Sequence, residues 1–185
     1  MPKNTVVLTA QWEDNSKVAV IVETNVKYET LAAAIAAAEA GQTVQLIQDI
    51  SQEEAILIDK NLTLDLNNKT FTVTNPSASY SNRAIKVTDG TVIIKDGTVD
   101  ALSNETHDGG CWGSLRQEGG HLTCNNVTFK NYRSGGLGLK PVGGTLILNE
   151  CTVLSEIGGG LELGNAIVEV NNCTFTQTGT DANKI

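Results

Sequence analysis

The chain has 185 residues, 40% of them hydrophobic and 4% aromatic, with a formal net charge of −8. That length carries one domain with its own core. The acidic balance argues against nucleic acid and anionic membrane surfaces, and no apolar run approaches a membrane span. The expected partners are a glycan or a host or cell surface, with no nucleic acid and no membrane insertion.

The opening residues, "MPKNTVVLTAQWEDNS", lack the basic start and apolar run of a secretory signal. Residues 4–13 and 17–22 alternate as strands do. Thr30 can cap a helix, Leu31 to Ala40 is a strong helix-forming run, and Gly41 stops it. Leu31, Ile35 and Ala38 fall on one face. Residues 43–50, "TVQLIQDI", are the next strand.

From there the chain repeats itself. With Thr70, Thr98, Thr128, Thr152 and Thr174 as anchors, the spacings are 28, 30, 24 and 22 residues. Six before the anchor stand Leu64, Val92, Leu122, Leu146 and Val168. Four before stand Leu66, Ile94, Cys124, Leu148 and Val170. Three before stand Asn67, Lys95, Asn125, Asn149 and Asn171. One before stand Lys69, Gly97, Val127, Cys151 and Cys173, and one after stand Phe71, Val99, Phe129, Val153 and Phe175. A second apolar pair precedes each phrase: Ala55 and Leu57, Ile85 and Val87, Gly113 and Leu115, Leu137 and Leu139, Leu161 and Leu163.

Repeats of this length with no internal helix cannot bury an apolar face alone; stacking lays each column over itself. The expected fold is therefore all-β: a right-handed single-stranded parallel β-helix of about five or six coils, its hand following the crossover rule. Its Asn column marks a turn, because Asn tolerates left-handed backbone and its amide can bond its counterparts. The expected organisation is an N-terminal cap over 1–42 with a helix over 30–40, a β-helix over 43–176 and a polar tail over 177–185. The helix covers one unpaired end; the far end looks open, suited to homo-oligomers or end-to-end stacking.

Cys111, Cys124, Cys151 and Cys173 form no CxxC pair, and only His107 and His121 accompany them, so neither a structural zinc nor any other cofactor is expected. Cys151 and Cys173 share an inward column and read as stacked free thiols, with a disulfide as the alternative. A Cys111–Cys124 bond is a second candidate staple. The Asn-x-Thr triplets at Asn61, Asn68, Asn104, Asn126 and Asn172 read as turns rather than glycosylation sites.

"VKYETLAAAIAAAEAGQTVQLIQDI" followed by "AILIDKNLTLDLNNKTFTV" resembles the entry into pectate-lyase-like right-handed β-helix domains of bacterial surface proteins. The likeness covers roughly residues 18–176. "VVLTAQWE" resembles the end of a Listeria–Bacteroides surface repeat. The resemblance implies the β-helix fold and an extracellular or cell-surface location. It leaves function open, because the fold hosts enzymes, adhesins and phage spikes alike.

Polysaccharide lyases and hydrolases on such a scaffold need clustered carboxylates. The outward acidic positions are Asp65, Asp96, Glu150 and Glu169, and Asn126 separates Asp96 from Glu150 in their column. No catalytic residue is therefore assigned. The irregular stretch 99–121 carries Asp100, Glu105, His107, Asp108, Trp112 and Arg116. Excursions of this kind usually hold the binding function. Trp112 is the candidate sugar platform, with Asp108 and Arg116 as hydrogen-bond partners; the competing reading packs Trp112 under its own loop. The expected function is a non-enzymatic structural or adhesive module with carbohydrate contact. The alternatives are a phage virion component, such as a head decoration or tail fibre, and a polysaccharide lyase or glycoside hydrolase.

Overall fold

The computed structural model describes residues 15–74, 83–101, 113–131, 139–155 and 160–177. Within them the chain is mostly β, with one helix. Strands β1 (Ala19–Ile21) and β2 (Val26–Tyr28) form a hairpin, followed by helix α1 (Leu31–Ala37). Then come β3 (Thr43–Leu46), β4 (Ile50–Gln52) and β5 (Ile56–Ile58). The long strand β6 (Leu62–Val73) leads through β7 (Ile85–Val87) to β8 (Thr91–Ala101). Strand β9 (Leu115–Gln117) leads to β10 (His121–Asn131), and β11 (Leu139–Pro141) to β12 (Thr145–Asn149) and β13 (Thr152–Ser155). Strands β14 (Ile167–Asn171) and β15 (Thr174–Gln177) close the series.

Two sheets result. In the large one, β14, β12, β10, β8, β6, β3, β1 and β2 lie side by side, with β4 against β6 and β13 between β10 and β15. The small one runs β11, β9, β7, β5. Pairing is antiparallel only where β1 meets β2 and β3; every other ladder is parallel.

Each long strand bends at a left-handed residue. These are Asn67 and Asn68 in β6, Asp96 in β8 and Asn126 in β10, with Glu150 and Asn172 in the breaks that follow β12 and β14. Two roles expected of a single Asn column are therefore split. The left-handed backbone falls two residues before the anchor. The amide ladder falls three before it: Asn149 Nδ2 donates to Asn125 Oδ1 at 2.8 Å and Asn171 Nδ2 to Asn149 Oδ1 at 2.9 Å. Of the triplet asparagines, Asn68, Asn126 and Asn172 hold such turns, and Asn61 Oδ1 accepts from the Thr91 amide. Asn104 lies outside the described residues.

The register differs from the sequence expectation in two places. In the first repeat Leu62 pairs with Val92, Leu64 with Ile94 and Asp65 with Lys95, so Leu64, Leu66 and Asn67 do not align as counting back from Thr70 suggests. Leu66, Asn67 and Asn68 oppose Asp96 alone, a wider turn. Leu66 fills it from inside, over Gly97. In the small sheet Ile56, Ile85, Leu115, Leu139 and Leu161 align in one column. Ile58, Val87, Gln117 and Pro141 form the next. The expected pairs Ala55/Leu57, Gly113/Leu115 and Leu137/Leu139 are thus out of step, and Leu137 lies outside the described residues. Polar Gln117 and Pro141 at inward positions hide the alternation.

Gln117 is buried because its amide Nε2 donates to the carbonyls of Gly119, Gly120 and Thr145. At the same turn Gly90, Gly120 and Gly144 stack with positive φ, each backbone so close to its predecessor's that a side chain has no room.

Helix α1 starts as expected: Thr30 Oγ1 accepts from the Ala33 amide at 3.1 Å. It ends at Ala37, not Ala40. Ala38 is extended, and the Lys60 ammonium donates to the carbonyls of Ala36 and Ala38, satisfying the last turn from outside. Leu31, Ala34, Ile35 and Ala38 are buried at the N-terminal end of the core.

The core is the set of inward columns: Phe71, Val99, Phe129 and Val153 are all 0% exposed. Phe175, next in that column, is 43% exposed and so is not core, because no described residue lies beyond it. Ile167, Val170 and Leu163 are exposed at the same end.

Candidate functional site

Strands β6, β8, β10 and β13 end in register at Val73, Ala101, Asn131 and Ser155, one corner of the scaffold. In sequence, residues 75–82, 102–112, 132–138 and 156–159 separate these ends from the small-sheet residues that follow; all four stretches lie outside the described residues. Asp108 and Trp112 fall in the second, outside the described residues, as do Cys111, His107 and Glu105.

Arg116 is described. It lies on β9, and the register aligns it with Lys86 on β7 and Lys140 on β11. Carboxylates answer this cationic column. Arg116 Nε donates to Glu118 Oε1 at 2.7 Å, Lys86 Nζ lies 3.1 Å from Glu118 Oε2, and Lys140 Nζ lies 2.8 Å from Glu162 Oε2. Burial pushes the Glu118 carboxyl up, but hydrogen bonds from Arg116 and Lys86 outweigh that and hold it below its ordinary value. The Arg116 Nε is thus already committed to Glu118.

The base of the same corner is polar, which the sequence reading missed. Val73, Ala101, Asn131 and Ser155 follow the inward parity of the core column, so the interior turns polar toward the later repeats. Asn131 is 2% exposed, and among the described residues neither side-chain amide atom has a hydrogen-bond partner. Beside it Ser114 Oγ donates to the Lys130 carbonyl at 2.7 Å. Burial pushes the Asp100 carboxyl up, against the pull of Lys130 at 3.7 Å. The only signal in the sequence was a polar residue at a position where earlier repeats carry Val and Ala.

Three of the four acidic positions are tied down, and Asp65 is buried rather than outward. Lys95 Nζ bridges Asp65 at 2.8 Å and Asp96 at 3.1 Å; Gln45 also donates to Asp65, and Asn126 to Asp96. Glu169 accepts from Asn171. Among the described residues no three His, Cys, Asp or Glu side chains converge as metal ligands.

Burial raises the Asp65 carboxyl, but Lys95, Gln45 and the Asn67 amide more than offset it and bring it below its ordinary value. A lowered folded-state pKa contributes stability above the unfolded value near 3.9, lost as pH falls through the folded one. Asp65→Asn is therefore expected to cost about 1–2 kcal/mol at pH 7, and progressively less below about pH 4. Urea unfolding at both pH values measures it. An equal loss at pH 7 and pH 3 would show that the charge is not the cause.

Cys124, Cys151 and Cys173 are free thiols. Cys124 and Cys151 are buried, while Cys173 is partly exposed. Cys151 and Cys173 stack, the Cys151 amide donating to Cys173 Sγ at 3.3 Å. Below them in the column lie Val127 and Gly97. Cys111, the other half of the second expected bond, lies outside the described residues.

Comparison with protein-family models, curated proteins and solved structures gave no match.

Proposed function

We propose that the chain is a right-handed parallel β-helix serving as a rigid, non-enzymatic module of an extracellular surface protein, with glycan contact through its loop corner. The observation that carries this reading is the in-register parallel stacking from β6 to β15. Each return, such as β8 through β9 to β10, is a crossover between parallel neighbours, and such crossovers are right-handed in about 98% of cases. A stack of this kind sets its strand ends about 4.8 Å apart, which suits a repeating polymer such as a glycan.

The tethering of Asp65 and Asp96 by Lys95 argues against an acid–base carboxylate pair. The test is a glycan array alongside assays for reducing ends and unsaturated sugars on polygalacturonate-type polymers. Binding without release, weakened by Trp112→Ala and Arg116→Ala, is the expected result. Sugar release would place the chain among lyases or hydrolases and overturn the reading.

A virion component is the second reading, favoured by the exposed apolar edge at Ile167, Val170 and Phe175. It requires a symmetric oligomer, which light scattering detects.

A further inference from the structure

The pair Cys151 and Cys173 lies outside the loop corner and has no part in the proposed function. Each follows a left-handed turn residue, Glu150 (φ 55°) and Asn172 (φ 52°), so both thiols leave the backbone in the same sense. The backbone bonds Glu150 N–H to Asn171 O and Thr174 N–H to Cys151 O, both 2.9 Å, bracket the pair. Each thiol also touches the equivalent carbonyl one repeat earlier. Cys151 Sγ lies 3.4 Å from Cys124 O, and Cys173 Sγ 3.5 Å from Leu148 O. Cys124 and Leu148 are themselves register partners. The two sulfurs are therefore related by one strand step, about 4.8 Å.

At that separation a bridging ion fits without either side chain moving, whereas a disulfide requires both sulfurs to turn toward each other. A disulfide needs sulfurs about 2.05 Å apart. Two metal–sulfur bonds of about 2.3 Å span about 4.6 Å when the metal lies on the line between them. We propose that Cys151 and Cys173 form a two-coordinate thiolate site for a soft monovalent ion, with Cu(I) as the biological candidate and Ag(I) as the stable probe. No third ligand converges among the described residues, which suits a linear ion and excludes the four-coordinate demand of zinc. Access is from the partly exposed Cys173 side. Binding replaces the thiol protons: the ion bonds both sulfurs as thiolates and up to two protons pass to solvent.

The test uses the full reduced chain under anaerobic conditions. It is titrated with Cu(I) held by a chromophoric competing chelator, and separately with Ag(I). The expected result is one ion per chain, a thiolate-to-metal ultraviolet band and protection of Cys173 from alkylation. Cys151→Ser and Cys173→Ser should each weaken binding roughly 100-fold or more, while Cys111→Ser and Cys124→Val leave it unchanged. Circular dichroism checks that each variant folds, and the alkylation readout in the unmodified chain stands independently of them. Binding that follows Cys111, or survives in both serine variants, overturns the proposal. So does a Cys151–Cys173 disulfide, seen as a loss of two hydrogens in mass with oxidised glutathione. A failure of glycan binding would leave this result untouched.

Discussion

Replacing Phe129 by alanine is expected to cost about 3–5 kcal/mol, the usual loss for a buried aromatic side chain. The same change at Phe175 should cost about 1 kcal/mol or less. Both side chains occupy one column, one residue after the anchor threonine. Phe129 is 0% exposed, lying between Val99 and Val153. Its loss opens a cavity that two backbone-pinned neighbours cannot close. Phe175 is 43% exposed and loses contact on one side only. Urea unfolding of the two variants measures the contrast. Equal losses would mean that the last repeat is covered in solution, which light scattering on the same samples would reveal.

Gly97→Ala should be destabilising even though Gly97 is not one of the left-handed glycines. A Cβ there would lie 2.5 Å from Leu66 Cβ and 2.7 Å from the Lys69 carbonyl oxygen. Overpacking of this kind typically costs about 1–3 kcal/mol, and the backbone contact puts this case at the upper end. Part of the clash is with a side chain, so Leu66→Gly in the same chain should recover some of the loss. The coupling energy from the double-mutant cycle is expected to be about 1 kcal/mol or more. A coupling near zero would show that the Lys69 carbonyl alone sets the cost. Either way, Gly97 is small because the wider turn above it sends a leucine inward.

That turn also marks the limit of what could be read from the sequence. The later repeats were legible because their turns have constant length: the pairing of Leu122 with Leu146 and Val168, and of Cys124 with Leu148 and Val170, follows from counting back from threonine. The first repeat was not, because Asn67 and Asn68 both take left-handed backbone and lengthen the turn by two residues. An Asn–Asn pair reads as one turn in a column search, yet it holds two residues' worth of chain. The small sheet was obscured differently. Gln117 faces inward to bond three carbonyls, so it broke the apolar alternation that located its neighbours. The helix start was visible in Thr30, but its end depended on Lys60, more than twenty residues away, and no local pattern reports that.

The candidate site was legible in part. Of the stretch read as irregular, 102–112 lies outside the described residues, while the described part is regular and holds β9, with Arg116 in register with Lys86 and Lys140. Its carboxylate neighbour Glu118 is only two residues on, but its second cation, Lys86, comes from the repeat before. Asn131 was invisible as a site residue, because parity within a long strand is what turns it inward.

The hairpin at the other end differs in kind from the edge of β14 and β15. Strand β1 runs against β3, and β2 against β1, while β14 and β15 leave the unfinished side of parallel ladders. Among the described residues the two outer edges of the large sheet are therefore built differently: one closes by a local turn, the other by strands that have each returned from the previous repeat.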